Sequence, residues 1–164
     1  HSMDPTLANG ENLFVVKPLP VNRFDIVVAS EKDEEGKTKQ IVKRVIGLPG
    51  DTIRYENDQL YVNGKKTNEP YLKNYIARFK EDKLQSTYSY NSYFQSLADK
   101  AKSFTQDANG NTNFTIEVPK GEYLLLGDDR LVSKDSRQVG TFKASQLQGE
   151  AKFRFWPLNR IGTF

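Results

Sequence analysis

Three stretches of the chain carry side chains that could do chemistry, and two scarcities decide which chemistry is open to them. There is no cysteine, and the only histidine is His1, the first residue. Structural zinc sites draw on several Cys or His ligands, so no metal is expected. Cys–His catalysis is excluded, and a Ser-His-Asp triad would have to recruit a terminal residue that frays. A hydrolase of this composition needs a different base. Ser2, within Ser2-Met3-Asp4-Pro5-Thr6-Leu7, offers a hydroxyl, and Lys43, within the run from Ile41 to Asp51, offers an amine. The serine segment reads either as a loop or tag or as a nucleophile held still by Pro5, which biases Asp4 toward an extended conformation. On a strand, Lys43 shares a face with Ile41 and Val45, while Arg44 shares the other with Val42 and Ile46. One of the two cations therefore lies among core-like neighbours. Either Lys43 snorkels to water from an edge strand, or it is desolvated. A dry ammonium loses hydration, its pKa falls, and the neutral amine can then take a proton from a serine hydroxyl.

The third stretch, Gly127 to Arg137, follows directly on the apolar Leu124-Leu125-Leu126. It is either a plain surface loop or a structured one, in which Asp and Ser bond nearby backbone N–H groups and Asp135 forms a bidentate pair with Arg137. If it packs beside Lys43, Ser133 can hold the amine through a hydrogen bond while Asp135 and Arg137 brace the loop from behind.

The elements that must position these residues are mostly strands. With 164 residues the chain holds one domain with a core, or a core domain with a sizeable insertion. Leu13-Phe14-Val15-Val16, Ile26-Val27-Val28, Ile41 to Leu48, Tyr123 to Leu126 and Ala151 to Trp156 are short apolar or β-branched runs. Leu48-Pro49-Gly50-Asp51 suits a type II turn, and Asn63-Gly64 a type I′ hairpin turn. The charged run from Glu31 to Lys39 reads as a solvated hairpin tip. Between Glu69 and Asn113 the texture becomes polar and aromatic. Leu72, Ile76 and Phe79, then Phe94, Leu97, Ala101 and Phe104, recur near helical spacing, which predicts two short helices joined by mobile loops at Gln85–Ser92 and Gln106–Asn113. The expected fold class is mostly β: an antiparallel core formed by 1–68 and 114–164, with an inserted, partly helical subdomain over 69–113.

Twenty-four Lys and Arg against 21 Asp and Glu give a net charge of +3, with both signs interleaved, so no basic stripe suited to nucleic acid stands out. The mild bias favours an anionic membrane surface. No apolar run approaches the roughly 18 residues of a membrane-spanning helix.

In this order the three motifs resemble those of the type I signal peptidases, with wording like the streptococcal members. The family's serine motif matches Ser2 to Leu7, its strand motif Phe24-Asp25-Ile26-Val27-Val28, its lysine motif Lys43 to Asp51 and its last motif Gly127 to Arg137. Asp129 and Leu131-Val132 depart from the Asn-richer wording of many relatives. The resemblance implies a signal-peptidase type of β core and a serine endopeptidase in which Ser2 is the nucleophile and Lys43 the general base. Ser133 would be the partner of the amine, with Asp135 and Arg137 structural, and no cofactor is required. It implies preprotein signal peptides as partners, bound in extended conformation and cut after small residues, with Met3, Leu7, Ile26, Val28 and Val42 as candidates for shallow apolar pockets. In the family the backbone N–H of the nucleophile belongs to the oxyanion hole, and in some members a side chain two residues earlier supplies a second donor, a position this sequence does not reach. It further implies a place on the extracytoplasmic face of a bacterial cell membrane, through an N-terminal anchor absent from this fragment. Two rivals have distinct signatures. A self-cleaving repressor-type peptidase would need an internal Ala-Gly bond and a DNA-binding domain, and neither is visible. A catalytically idle assembly factor or chaperone for surface proteins would have lost the dyad, whereas Ser2 and Lys43 are both present.

Overall fold

The computed structural model describes residues 12–16, 21–85, 87, 90–155 and 160–163, with side chains described over 21–85, 87 and 90–149. Ser2, Met3 and Leu7 lie outside the described residues. Eleven strands are described: β1 Asn12–Val16, β2 Ile26–Lys32, β3 Thr38–Gly47, β4 Thr52–Glu56, β5 Gln59–Val62, β6 Lys65–Thr67, β7 Asn113–Glu117, β8 Glu122–Leu126, β9 Phe142–Lys143, β10 Leu147–Phe155 and β11 Arg160–Thr163. Helices α1 Lys73–Asp82 and α2 Ser92–Lys100 lie between β6 and β7, and the single turn α3 Ser136–Val139 follows β8. Every strand pairing is antiparallel, as the alternating apolar runs lead one to expect. A seven-stranded sheet runs β1-β10-β2-β3-β8-β9, with β11 also on β10, and a four-stranded sheet runs β6-β5-β4-β7.

Turn chemistry fixes the registers. Gly50 takes φ +84° and the Asp51 N–H donates to the Leu48 carbonyl at 3.0 Å, the type II geometry its sequence suits. Asn63 and Gly64 both take positive φ between β5 and β6, as a type I′ turn requires. The hairpin tip between β2 and β3 is exposed, and Asp33 Oδ1 stitches it by accepting the Glu35 and Lys37 N–H groups at 2.9 Å.

From Lys43 to Gly47 in β3 and from Leu124 to Leu126 in β8 every residue is buried, so alternate residues of these stretches feed two cores. Ile46, Leu124 and Leu126 pack with Ile53, Tyr55, Leu60 and Val62 of the four-stranded sheet. Val45 and Leu125 pack on the other side with Val27, Ala29, Phe142 and Leu147. A third core belongs to the helical segment: Leu72, Tyr75, Phe79, Leu84, Ala98, Ala101 and Phe104, with Leu131 and Val132 packed against it.

Two expectations need adjustment. Phe104 is buried as its spacing suggests, yet α2 stops at Lys100 and Ala101 is already extended at ψ 137°. The Asp58 carboxylate explains this, because it accepts the Phe104 and Thr105 N–H groups at 3.1 and 2.7 Å, a stronger offer than another helical turn. The stretch expected to be a mobile loop at Gln106–Asn113 is instead tied at its tip, where Asp107 Oδ1 accepts the N–H groups of Asn109 and Asn111 at 2.9 and 2.8 Å. It then runs straight into β7, whose Phe114 and Ile116 alternate with polar residues.

Gly47 ends β3 where the two sheets close on each other. A Cβ there would sit 2.7 Å from Val118 Cγ2 and 2.9 Å from Leu124 Cβ, well inside van der Waals contact. Gly47→Ala is expected to destabilise the fold by about 1–3 kcal/mol, read from the denaturant midpoint.

Candidate active site

Lys43 reaches its position because β3 is held between β2 and β8, with Lys43 opposite Val27 and Arg44 opposite both Ile26 and Leu126. The side chain shares its face with Val27, Ala29 and Val45, all fully buried, and is itself only 5% exposed. Its Nζ donates to Ser133 Oγ at 3.1 Å. Burial is the largest influence on this amine and lowers its pKa from the usual 10.5; Asp135 and Glu31 pull it upward, while Arg137 and Lys39 push it down. The net result is lowered, so the amine gives up its proton more readily than an ordinary lysine.

Ser133 is presented by a loop with an internal scaffold. The Ser133 N–H donates to the Asp129 carbonyl at 2.9 Å. Asp135 caps α3 and accepts the Gly127 N–H at 3.0 Å, tying the loop's end to its beginning. Arg137 grips Asp135 with Nε on Oδ1 and Nη2 on Oδ2, both at 2.9 Å, the planar fork that a guanidinium makes with a carboxylate. The same Nη2 reaches the Arg130 carbonyl at 2.9 Å, and Nη1 the Gln106 carbonyl at 3.0 Å. Burial alone would raise the Asp135 pKa, but the Arg137 charge, its hydrogen bonds and the backbone donors outweigh it and hold the carboxyl below 3.8.

Two further buried ion pairs were not singled out from the sequence. Arg44 meets Asp128 bidentately at 2.9 and 2.7 Å, donates to the Phe24 carbonyl at 2.9 Å and lies 4.0 Å over the Tyr71 ring. Arg130 donates to Glu69 Oε2 at 2.7 Å, to the Gly127 carbonyl at 2.8 Å and to Tyr55 Oη at 2.9 Å. Glu69 Oε2 also accepts from Tyr55 at 3.1 Å and Tyr71 at 2.5 Å. Burial, with Glu69 beside it, pushes the Tyr71 phenol well above its ordinary value. The legible signals were the neighbouring cations on opposite faces of β3 and the paired Asp128-Asp129 after an apolar strand; nothing local marks Glu69.

The candidate residues separate. Lys43, Ser133, Asp135 and Arg137 come together. Ile26 and Val28 sit opposite Arg44 and Val42, on the face away from Lys43, and are 0% and 1% exposed. Val42 is half-buried. Among the described residues no group of three or more His, Asp or Glu side chains is arranged to hold a metal ion.

Comparison with known proteins places this geometry in context. The family described as "Signal peptidase, peptidase S26" matches residues 1–156. The chain is 68% identical over 171 residues to signal peptidase I of Streptococcus pneumoniae, covering all of this chain and 82% of that protein. It is 41% identical over 165 residues to signal peptidase IB of Staphylococcus aureus, covering 98% of this chain and 76% of that protein. A crystal structure of a signal peptidase I from Enterococcus faecalis is similar in fold, with a TM-score of 0.51 and 31% identity over 84% of this chain and 98% of that one.

Two measurements probe the buried charges. Asp128→Ala strands the Arg44 guanidinium and is expected to cost about 3–5 kcal/mol in denaturant unfolding, whereas replacing both partners with apolar residues costs far less. The depressed Asp135 carboxyl gives stability that is present above its ordinary 3.8 and lost as pH falls through its lower folded value. Denaturation midpoints followed down from about pH 5 should therefore fall more steeply for the parent than for Asp135→Asn.

Proposed function

Because the chain belongs to the signal peptidase, peptidase S26, family, we propose that it cuts its substrates with Ser2 as nucleophile and Lys43 as general base. The protein is a serine endopeptidase that removes signal peptides from preproteins. The observation that carries the dyad is the Lys43 amine, dry on the buried half of β3, with lowered basicity and the Ser133 hydroxyl 3.1 Å away. A group in that state gives up its proton below the ordinary lysine range and can act as a base without a histidine.

In the proposed reaction neutral Lys43 takes the Ser2 hydroxyl proton as the oxygen attacks the scissile carbonyl. The tetrahedral oxyanion is stabilised by the Ser2 backbone N–H. Lys43 then gives its proton to the leaving amine as the peptide bond breaks, leaving an acyl-enzyme. It takes another from the attacking water and passes it to Ser2 Oγ as the acyl–oxygen bond breaks, which releases the acid and restores serine and neutral amine. Ser133 orients the amine, while Asp135 and Arg137 hold Ser133 in place. The extended substrate presents small side chains to shallow pockets formed by Met3, Leu7 and Val42, and Ile26 and Val28 support that surface from beneath. The 69–113 segment is a subdomain set into a catalytic core formed by the remainder. The site of action is the extracytoplasmic face of a bacterial membrane, where the lipid surface and the preprotein meet; among the described residues no helix is long and apolar enough to cross it.

Lys43→Ala and Ser2→Ala should each lower cleavage of a signal-peptide substrate by at least about 10³-fold, and retained activity in either removes that residue from the mechanism. Since the base works unprotonated, kcat/KM should rise with pH along a limb lying below the ordinary lysine range. Stability moves too: with the folded pKa lowered, the unfolded chain binds the extra proton between that value and 10.5, so the lysine weakens the fold at neutral pH and the penalty fades as pH rises. Lys43→Met should be inactive yet melt about 2–4 °C higher at pH 7, a gain on the order of 1 kcal/mol.

A further inference from the structure

We propose that Glu69 is a positioning residue for cleavage: through Arg130 it fixes the loop that presents Ser133 to the Lys43 amine. This rests on the reading of Lys43 and Ser133 given above. Glu69 stands just after β6, where the chain leaves the four-stranded sheet for the helical segment, and its side chain is 4% exposed. Its Oε2 gathers Arg130 Nη2, Tyr55 Oη and Tyr71 Oη at 2.7, 3.1 and 2.5 Å, while Oε1 is buried with no partner among the described residues. A carboxylate that leaves half of itself unsatisfied in the interior is held there by the charge on Arg130.

Arg130 transmits that anchorage to the loop in two ways. Its Nε holds the Gly127 carbonyl, at the point where β8 gives way to the loop, and its own carbonyl accepts from Arg137, the partner of Asp135. The far end of the helical segment grips the same pair of arginines, with Thr105 Oγ1 3.3 Å from Arg130 Nη1 and the Gln106 carbonyl 3.0 Å from Arg137 Nη1. Leu131 and Val132, between Arg130 and Ser133, pack on the core of that segment. Both ends of the 69–113 stretch thus clamp the residues on either side of Ser133. Freeing the Glu69 end would let the loop rise from the amine, admit water and weaken the contact with Ser133. The charged groups acting on the amine are Asp135 and Arg137 from the loop and α3, Glu31 from β2 and Lys39 from β3. The groups that face Glu69 are the Arg130 guanidinium and the Tyr55 and Tyr71 hydroxyls.

The test is kcat/KM against pH on the full-length protein with a signal-peptide substrate, for the parent, Glu69→Gln, Ser133→Ala and the double variant. If Glu69 positions the loop, Glu69→Gln lowers kcat/KM about tenfold near pH 7, moves the acid limb to higher pH and recovers most of the rate in alkali, with kcat affected more than KM. In the Ser133→Ala background the same change should add less than about twofold, because the two residues act through one contact. An acid limb that stays in place while activity falls with stability, or effects that multiply independently, overturns the proposal. Should Glu69→Gln not give a cooperative melt, Tyr55→Phe keeps the ion pair and removes one hydroxyl, and is expected to shift the limb the same way by less; an unmoved limb there also overturns it. Lys43→Ala keeps the two readings apart: full activity in that variant sinks the dyad, whereas an unmoved limb in a Lys43-dependent enzyme sinks the role of Glu69 alone.

Discussion

The second half of strand β3 is buried on both faces and still carries two cations side by side, and the different ways those charges are accommodated organise the site around them. Arg44 points to one core and is neutralised by the fork of Asp128, a carbonyl and the face of Tyr71. Such a guanidinium stays charged and does no proton chemistry. Lys43 points to the other core and meets a neutral hydroxyl. On this amine desolvation outweighs the pull of Asp135 and Glu31, and its basicity drops. Residue type and the partner each face supplies together separate the structural cation from the reactive one, since a guanidinium keeps its proton in either setting and only the amine gives it up.

The loop after β8 supplies both partners, and this explains its density of buried charge. Asp128 serves Arg44, Ser133 serves Lys43, and Asp135, Arg137 and Arg130 hold the backbone between them. Isolated buried ion pairs are weak sources of stability, because desolvation takes back much of the Coulombic gain. Their value in this loop is geometric: bidentate forks fix direction as well as distance. The price of that rigidity is that any one partner, removed singly, leaves a stranded charge.

Local chemistry was legible in the sequence wherever the cause was local. Gly50 and the Asn63-Gly64 pair announce turns because few other residues tolerate their backbone angles, and the alternation around Lys43 announces a cation facing a core. The Asp135–Arg137 pair is two residues apart and could be anticipated from side-chain chemistry alone. Arg44 with Asp128 and Arg130 with Glu69 could not, since 84 and 61 positions separate the partners and only the sheet topology brings them together. Phe104 illustrates the intermediate case: its spacing foretold burial but not its conformation, which a distant carboxylate decides. Leu131 and Val132, an oddity against the family's wording, make sense once the helical segment lies against them.

The helical segment leaves the four-stranded sheet after β6 and returns at β7, and these are the two outer strands of the order β6-β5-β4-β7. Three inter-strand spacings separate its points of departure and return, about 14 Å. A tight turn cannot bridge that gap, so some connecting chain is obligatory. Beyond that minimum, length carries little thermodynamic penalty, about 0.6 kcal/mol for each doubling of a flexible loop. The middle of this strap could thus be lengthened or shortened at little cost to the fold, whereas the residues at its two roots are bound to the architecture they fasten.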